Sequence, residues 1–517
     1  MNPYIINKNL DIPLYIQLRD NIEHAIKEGD LSPGDKLPAV AHIAKEVGVT
    51  QATVRRALKD LKDMGHTLCH VGRGTFVQDA STVQRKEIDA PDSCAGFPVS
   101  PPERLPRGGS SLENAAWQLR MGVSKALGDI MSLADKPGII HLARGTSDPA
   151  LLPETFLEEV VSETLAGKPA ALIESTPPAG LFELRQAVAE HFSLQNIEVG
   201  PEQVLITNGS LQAVTLVAQA LRESKPAIIV ETPCFKGIPD TFSAMGHWVE
   251  TVGRDAQGPR VDQLSRLGAR SPALMYLCPY AQNPTGTSLS TERYAELADW
   301  AAHTGATILA DELFRDLCYD EPQVPSLMKA LGPERVIAVG SLSKTVMTGL
   351  RVGWLISTAE RVNRIIRYKR LMDISSSSFA QGMALTILKS GRYARHTQYM
   401  RAVYRKRMAA MLKALERNMP KEVHWSKPDG GFSMLLELPK GYSSIALFLS
   451  AVERGVSFLP GPFFDIDQRF VNCIRLSCAW HADDRIKEGI ELLAGAVDEL
   501  LQRPPGDLGL SGLGSFQ

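Results

Sequence analysis

The chain has no Cys-x-x-Cys pair, and its seven cysteines are an odd number. Both facts argue against a disulfide framework and against a zinc site, so no metal is expected. No apolar run approaches the roughly 20 residues that cross a bilayer. Lys8 and Asp11 interrupt the start of the chain where a secretory leader would hold its apolar core. A cytoplasmic, reduced protein without membrane contact is therefore expected. An excess of one charge is also missing: 56 Lys+Arg face 58 Asp+Glu, for a net charge of −2. The chain-wide basic balance usual in nucleic-acid binders is absent, although a whole-chain sum averages away a small basic face. There is no internal repeat, and no low-complexity block beyond Ser375–Ser378.

What is present is an ordinary globular composition, 44% hydrophobic and 22% charged. At 517 residues there is room for two to four domains. Residues 11–79 are dense in helix signals and end in a short β pattern. Residues 80–112 carry Pro91, Pro98, Pro101, Pro102, Pro106, Gly108 and Gly109 with little apolar content, the mark of a linker. Residues 113–502 alternate short apolar runs with longer amphipathic stretches. The last part, 503–517, is glycine-rich and reads as a flexible tail.

In the first stretch, Leu14, Leu18, Ile22 and Ile26 recur every four positions and predict a helix. Val40–Val47 predicts a second, ended by Gly48, and Thr50 can cap a third. There Val54, Ala57, Leu58 and Leu61 fix one buried face, which leaves Arg55, Arg56, Lys59 and Lys62 largely on the remaining surface. Thr67–Val71 and Thr75–Val77 flank Gly72-Arg73-Gly74, a tight hairpin with an arginine at its tip. Helix, helix, turn, helix and β-wing describe a winged helix-turn-helix, whose third helix would enter the major groove. Lys45, Arg55, Arg56, Lys59, Lys62 and Arg73 outnumber Glu46, Asp60 and Asp63, a local excess of +3. The wording from Pro13 to Val77 resembles the GntR family of bacterial regulators. The resemblance implies binding to double-stranded operator DNA through Thr50, Gln51, Thr53, Arg55, Arg56 and Arg73. Ala41 and Gln51 depart from it, standing where members commonly place arginines that touch DNA. Glutamine can still read adenine through a bidentate pair.

In the long region the runs Gln203–Thr207, Ala227–Glu231, Ala273–Leu277, Thr307–Asp311, Arg335–Gly340 and Gly353–Ser357 are apolar without alternation. They predict strands buried on both faces, hence a mainly parallel sheet. Lys344 follows one of them in Ser341-Leu-Ser-Lys344, seven residues before Arg351. A lysine that condenses with an aldehyde cofactor needs an anion site beside it, and Ser341, Ser343 and Arg351 can provide one. Alone the tetrapeptide is a weak signal. Thr207-Asn208-Gly209-Ser210 adds a strand-to-helix junction whose N–H groups can cradle phosphate. Asp311 ends a buried strand, where a carboxylate can pair with a protonated pyridine nitrogen. Asn283, in Asn-Pro-Thr-Gly, could donate to a ring oxygen.

Together these residues resemble the fold-type I, class I/II aminotransferases, which depend on pyridoxal 5'-phosphate. The resemblance covers about residues 115–500. It implies an α/β fold with a mainly parallel central sheet and a smaller C-terminal subdomain. It makes Lys344 the Schiff-base lysine, and Asp311 and Asn283 the partners of the ring nitrogen and ring oxygen. Gly209, Ser210, Ser341, Ser343 and Arg351 would hold the phosphate, and Phe235 would stack on the ring. Arg475, with Gly145 nearby, would clamp an α-carboxylate. Phe314 and Ser175 break the family pattern, each standing where a tyrosine is usual.

A GntR-type head on an aminotransferase-like body resembles the MocR subfamily of transcriptional regulators, as does Gly391–Arg407. The resemblance implies a homodimeric regulator that senses an amino acid, another amine or the cofactor itself. Two other readings stay open: a working aminotransferase with an accessory head, and a repressor whose body is a cofactor-free dimerisation scaffold.

Overall fold

The computed structural model describes residues 14–27, 30–32, 34–63, 67–70, 74–77, 132, 137–167, 172–224, 226–267, 274–467 and 469–505. The expected linker, Arg73 at the hairpin tip and nearly all of the expected tail lie outside these residues. The chain divides into two compact units, Met1–Pro106 and Arg107–Gln517.

The first unit has helices Leu14–Lys27, Val40–Val47 and Gln51–Asp63, then a hairpin of Thr67–His70 with Gly74–Val77. Gly48 ends the second helix at φ 69°, a left-handed conformation that glycine adopts without a Cβ clash. Thr50 accepts from the Thr53 N–H at 3.3 Å and caps the third helix. Leu18, Ile22, Ile43, Val54, Ala57 and Leu61 close a small core from which water is excluded.

In the second unit an eight-stranded sheet runs in the order Val204–Thr207, Gly353–Ile356, Val336–Ser341, Thr307–Asp311, Leu274–Leu277, Ile228–Thr232, Val249–Asp255, Gly258–Pro259. The strands from Val336–Ser341 to Val249–Asp255 pair in parallel. The sheet is mainly parallel, as expected, with Gly353–Ile356 the exception among the predicted strands: it lies antiparallel to both neighbours. Burial on both faces constrains composition but not direction, so the run could not show it. Two antiparallel pairings in succession leave Val204–Thr207 pointing the same way as the parallel set. Its end therefore joins theirs at the carboxyl edge, where ligands bind in open α/β sheets.

Val249–Asp255 was not among the expected strands. It sits near the sheet's edge and is half-exposed, so its sequence carries no continuous apolar run. A second, antiparallel sheet joins His424–Trp425, Ser433–Glu437, Cys473–Ser477 and Leu459–Pro460. The 27-residue helix Arg392–Asn418 buries Tyr393, His396, Met400, Tyr404, Met408, Met411 and Leu415, one stripe at helical spacing. It packs along Asp483–Leu501. Arg503, assigned to the tail by sequence, is held by Glu499 at 2.8 Å.

Candidate functional site

Lys344 follows the strand Val336–Ser341 and donates from Nζ to the Gly145 carbonyl at 2.6 Å. Burial, with Arg475 and Arg351 nearby, brings its amine down to about 8. Gly145 also borders Arg475, since an added Cβ there would lie 3.4 Å from the guanidinium. Arg475 is buried in Cys473–Ser477 and donates to the Ala143 carbonyl and, at 3.4 Å, to Asn283 Oδ1. Burial lowers its guanidinium to about 10, and its Nε has no hydrogen-bond partner among the described residues. Gly145, Asn283, Lys344 and Arg475 thus form one group.

Arg351 gathers a second group. It donates to Ser343 Oγ at 3.3 Å and to the Asn208 carbonyl at 3.0 Å. Gly209, at φ 93°, precedes the helix Ser210–Ala220. A Cβ on Gly209 would sit 2.8 Å from Arg351 Nη2, so both the φ and the close approach require glycine. The Ser341 hydroxyl is within 2.9 Å of Ser343 Oγ and of the Val352 carbonyl, and it accepts from the Ser343 N–H. Arginine, two hydroxyls and a helix start together make an anion cradle.

Asp311 ends the strand beside that of Lys344, level with Val339. Its carboxylate accepts from the Tyr276 hydroxyl at 3.0 Å and the Leu313 N–H at 3.2 Å, and burial raises it to about 6. No basic side chain pairs with it among the described residues. Phe235 is half-exposed, its ring lying against Gly237 rather than in either group. Phe314 is buried edge-on against Phe432.

Sequence reasoning missed Tyr276 and Asp373. Asp373 accepts from Asn208 Nδ2 at 2.8 Å, Gln212 Nε2 at 2.9 Å and the buried Lys369 at 2.9 Å, and so anchors the loop before Gly209. Tyr404, part of the Gly391–Arg407 segment but given no site role by sequence, meets Ser147 Oγ at 2.9 Å beside the Lys344 backbone. In the head, Thr50 and Thr53 share a hydroxyl contact, and Arg55 donates to Gln51 at 3.4 Å. Arg56 lies over the Tyr15 ring at 4.5 Å.

The arrangement offers a depressed amine, an anion cradle and a buried carboxylate that lacks a cation. The family model for aminotransferases of class I and II matches residues 140–493. The chain belongs to that family. The model for bacterial regulatory proteins of the gntR family matches residues 14–77, so this class I and II aminotransferase domain follows a GntR-type DNA-binding head. A 2-aminoadipate transaminase of Thermus thermophilus is 33% identical over 377 residues, which is 72% of this chain and 94% of that protein. An uncharacterized HTH-type transcriptional regulator of Bacillus subtilis, YdfD, is 27% identical over 95% of this chain and 98% of its own length. Among solved structures, an alpha-aminoadipate aminotransferase from Thermus thermophilus, complexed with N-(5'-phosphopyridoxyl)-L-leucine, superposes with a TM-score of 0.66. It is 32% identical, with 71% of this chain and 94% of that chain covered.

Proposed function

We propose that the protein is a transcriptional regulator whose DNA-binding head answers to an amino compound held at pyridoxal phosphate in the aminotransferase domain. One observation carries this reading above all. The similarity to an HTH-type regulator runs through head and body together over nearly the whole of both chains, whereas the transaminase relative matches the body alone.

The residues present fit the cofactor: Asp311 is a buried carboxylate without a cation, and Gly209 leaves open the space in front of Arg351. When bound, pyridoxal phosphate supplies an aldehyde that condenses with amines and a ring that withdraws electrons. Arg351, Ser343, Gly209 and Ser210 hold its phosphate, and Ser341 acts through Ser343. Asp311 would keep a proton on the ring nitrogen and Asn283 would orient the ring oxygen, while Phe235, whose ring lies against Gly237, would have to turn to cover the cofactor ring. Lys344 would supply the neutral amine that holds the cofactor's aldehyde, and a ligand amine would compete with it for that position. Arg475 receives the ligand's carboxylate beside Gly145, where a planar guanidinium offers a bidentate fork. Ligand binding then changes the preference of the head for DNA, as coupling between two sites requires.

The body works as a homodimer. Ile173, Leu371 and Ile374 are 87%, 83% and 72% exposed, and Ser378 ties their two segments together through the Glu174 carbonyl. Asp373 stands between Leu371 and Ile374, so a second copy covering this apolar surface would also press on the Asn208–Gly209 loop. No helix among the described residues is long and apolar enough to cross a membrane, in keeping with the cytoplasmic site of action proposed here.

The constellation at Lys344 favours a second reading, a working aminotransferase with an accessory head. Turnover of an amino acid with a keto acid at a rate on the order of 1–10³ s⁻¹ supports the enzyme. A yellow protein with negligible turnover that releases or grips selected DNA on adding an amine supports the regulator.

Two further outcomes follow. Cofactor attachment to the apo protein needs the neutral amine, and Lys344 is brought down to about 8. The attachment rate should rise with pH up to about 8 and level off above it. A rate still climbing steeply near the ordinary value of 10.5 would contradict this placement of Lys344. In the head, Gln51→Ala should relax base preference at one operator position by about 1–3 kcal/mol. Binding to sequences selected from random duplexes reads this, and an unchanged preference would remove Gln51 from base contact.

A further inference from the structure

A cavity of about 210 Å³ opens where the helix Phe182–Ser193, the turn Arg315–Leu317 and the helix Arg392–Asn418 meet. None of its lining residues belongs to the site around Lys344. His191, Gln195, Arg315, Asp316, Glu321 and Arg401 supply its polar groups.

Arg315 and Arg401 balance Asp316 and Glu321 in formal charge, but the arginines are only loosely paired. Arg315 donates to the Tyr280 hydroxyl at 2.6 Å and lies over that ring, with no carboxylate at ion-pair distance among the described residues. Among the described residues Arg401 reaches only the carboxylate of Glu321, at 3.4 Å, and that side chain is 88% exposed. Asp316 is already engaged by His191 at 3.2 Å and by the Tyr393 hydroxyl at 2.5 Å. Burial opposes ionisation of both His191 and Asp316, but their mutual bond raises the imidazole and holds the carboxyl at about 2. Two lining residues also carry buried atoms without a hydrogen-bond partner among the described residues, an acceptor on Gln195 (Oε1) and a donor on Arg401 (Nε). Such groups are costly to leave unmatched. Both side chains line the cavity, beside the space a ligand would occupy.

We propose that this cavity binds one free α-amino acid as the zwitterion, at a site separate from Lys344 and Arg475. Its carboxylate lies on Arg315 and Arg401, which present planar N–H forks. Its ammonium group faces Gln195 Oε1 and the exposed carboxylate of Glu321. The inference does not rest on the cofactor reading.

Calorimetric titration of the full-length Lys344→Ala/Arg475→Gln protein tests it, with Lys344→Ala alone as a second background. The probes are L-alanine, L-glutamate and L-lysine, with propionate, ethylamine and inorganic phosphate as controls. At least one amino acid is expected to bind saturably at one per chain, at least tenfold more tightly than any control. Adding Arg401→Met, or independently Gln195→Met, should weaken it at least tenfold while the circular-dichroism melt is unchanged. Absence of saturable amino-acid binding in both backgrounds overturns the proposal, as does binding indifferent to both Arg401→Met and Gln195→Met. Phosphate or propionate binding as tightly as the amino acid would make this a plain anion site and also overturn it. The cofactor reading is scored separately, because Arg401→Met should leave the wild-type spectral response to amines intact.

Discussion

Lys344→Ala is expected to leave the full-length protein bound to its selected DNA but unresponsive to the amine ligand. In the wild type, coupling between two sites typically changes affinity about 5- to 150-fold, or ~1–3 kcal/mol. In the variant that change should vanish. The reason is local: among the described residues the Lys344 amine is the one basic group that donates to the Gly145 carbonyl, and its proton is already held loosely. On the proposed reading, alanine removes the amine that attaches the cofactor and that the ligand displaces, while the sequence of the head is left unchanged. Borohydride should no longer fix cofactor to the chain. Fluorescence anisotropy of labelled duplex, with and without ligand, reads the first effect, and absorbance after dialysis reads the second. A variant that still answered the ligand with wild-type strength would remove Lys344 from the switch.

The second large effect concerns stability. Glu231 and Arg254 are both fully buried, with Arg254 Nη1 2.7 Å from Glu231 Oε2. Glu231 Oε1 also accepts the Cys278 N–H at 2.6 Å, while Arg254 donates to the Thr287 carbonyl at 2.8 Å. Glu231→Ala leaves a buried guanidinium without its counter-charge and a buried N–H without its acceptor. Removing one partner of such a pair costs about 3–5 kcal/mol. All six tryptophans lie beyond residue 106, so their fluorescence during urea unfolding reports the body and not the head. A paired Glu231→Met/Arg254→Met change should recover most of the loss, because two apolar side chains of similar volume bring no unpaired charge. A cost below about 1 kcal/mol for Glu231→Ala would show that the pair does not hold these strands in place.

Much of the fold was legible because local signals agreed with one another. The end of Val40–Val47 and the start of Gln51–Asp63 could be placed from Gly48 and Thr50 alone, since a left-handed end and a hydroxyl cap are properties of single residues. The buried strands were legible as apolar runs, to within a residue or two at their ends. The direction of Gly353–Ile356 was not, nor was Val249–Asp255, whose half-exposed faces interrupt the run. At the site, Lys344, Asp311, Asn283, Arg351 and Arg475 stood in motifs and were legible for that reason. Asp373 was not, because its work is done 165 residues away, on the side chain of Asn208. Tyr276 likewise lies inside an apolar strand and declares itself only by its bond to Asp311. Separations of this kind are created by the sheet, and no spacing rule exposes them. The charge balance was similarly uninformative about DNA, since the head is a small part of a near-neutral chain.

The central claim is that ligand capture at the Lys344 site and control of DNA binding are one event. Full-length protein with its cofactor, mixed with labelled selected duplex at fixed salt, can be titrated with an amino acid while absorbance and anisotropy are recorded on the same sample. The account predicts that both signals change with a common midpoint. A spectral change that saturates while anisotropy stays flat, with steady turnover of the amino acid, would contradict it.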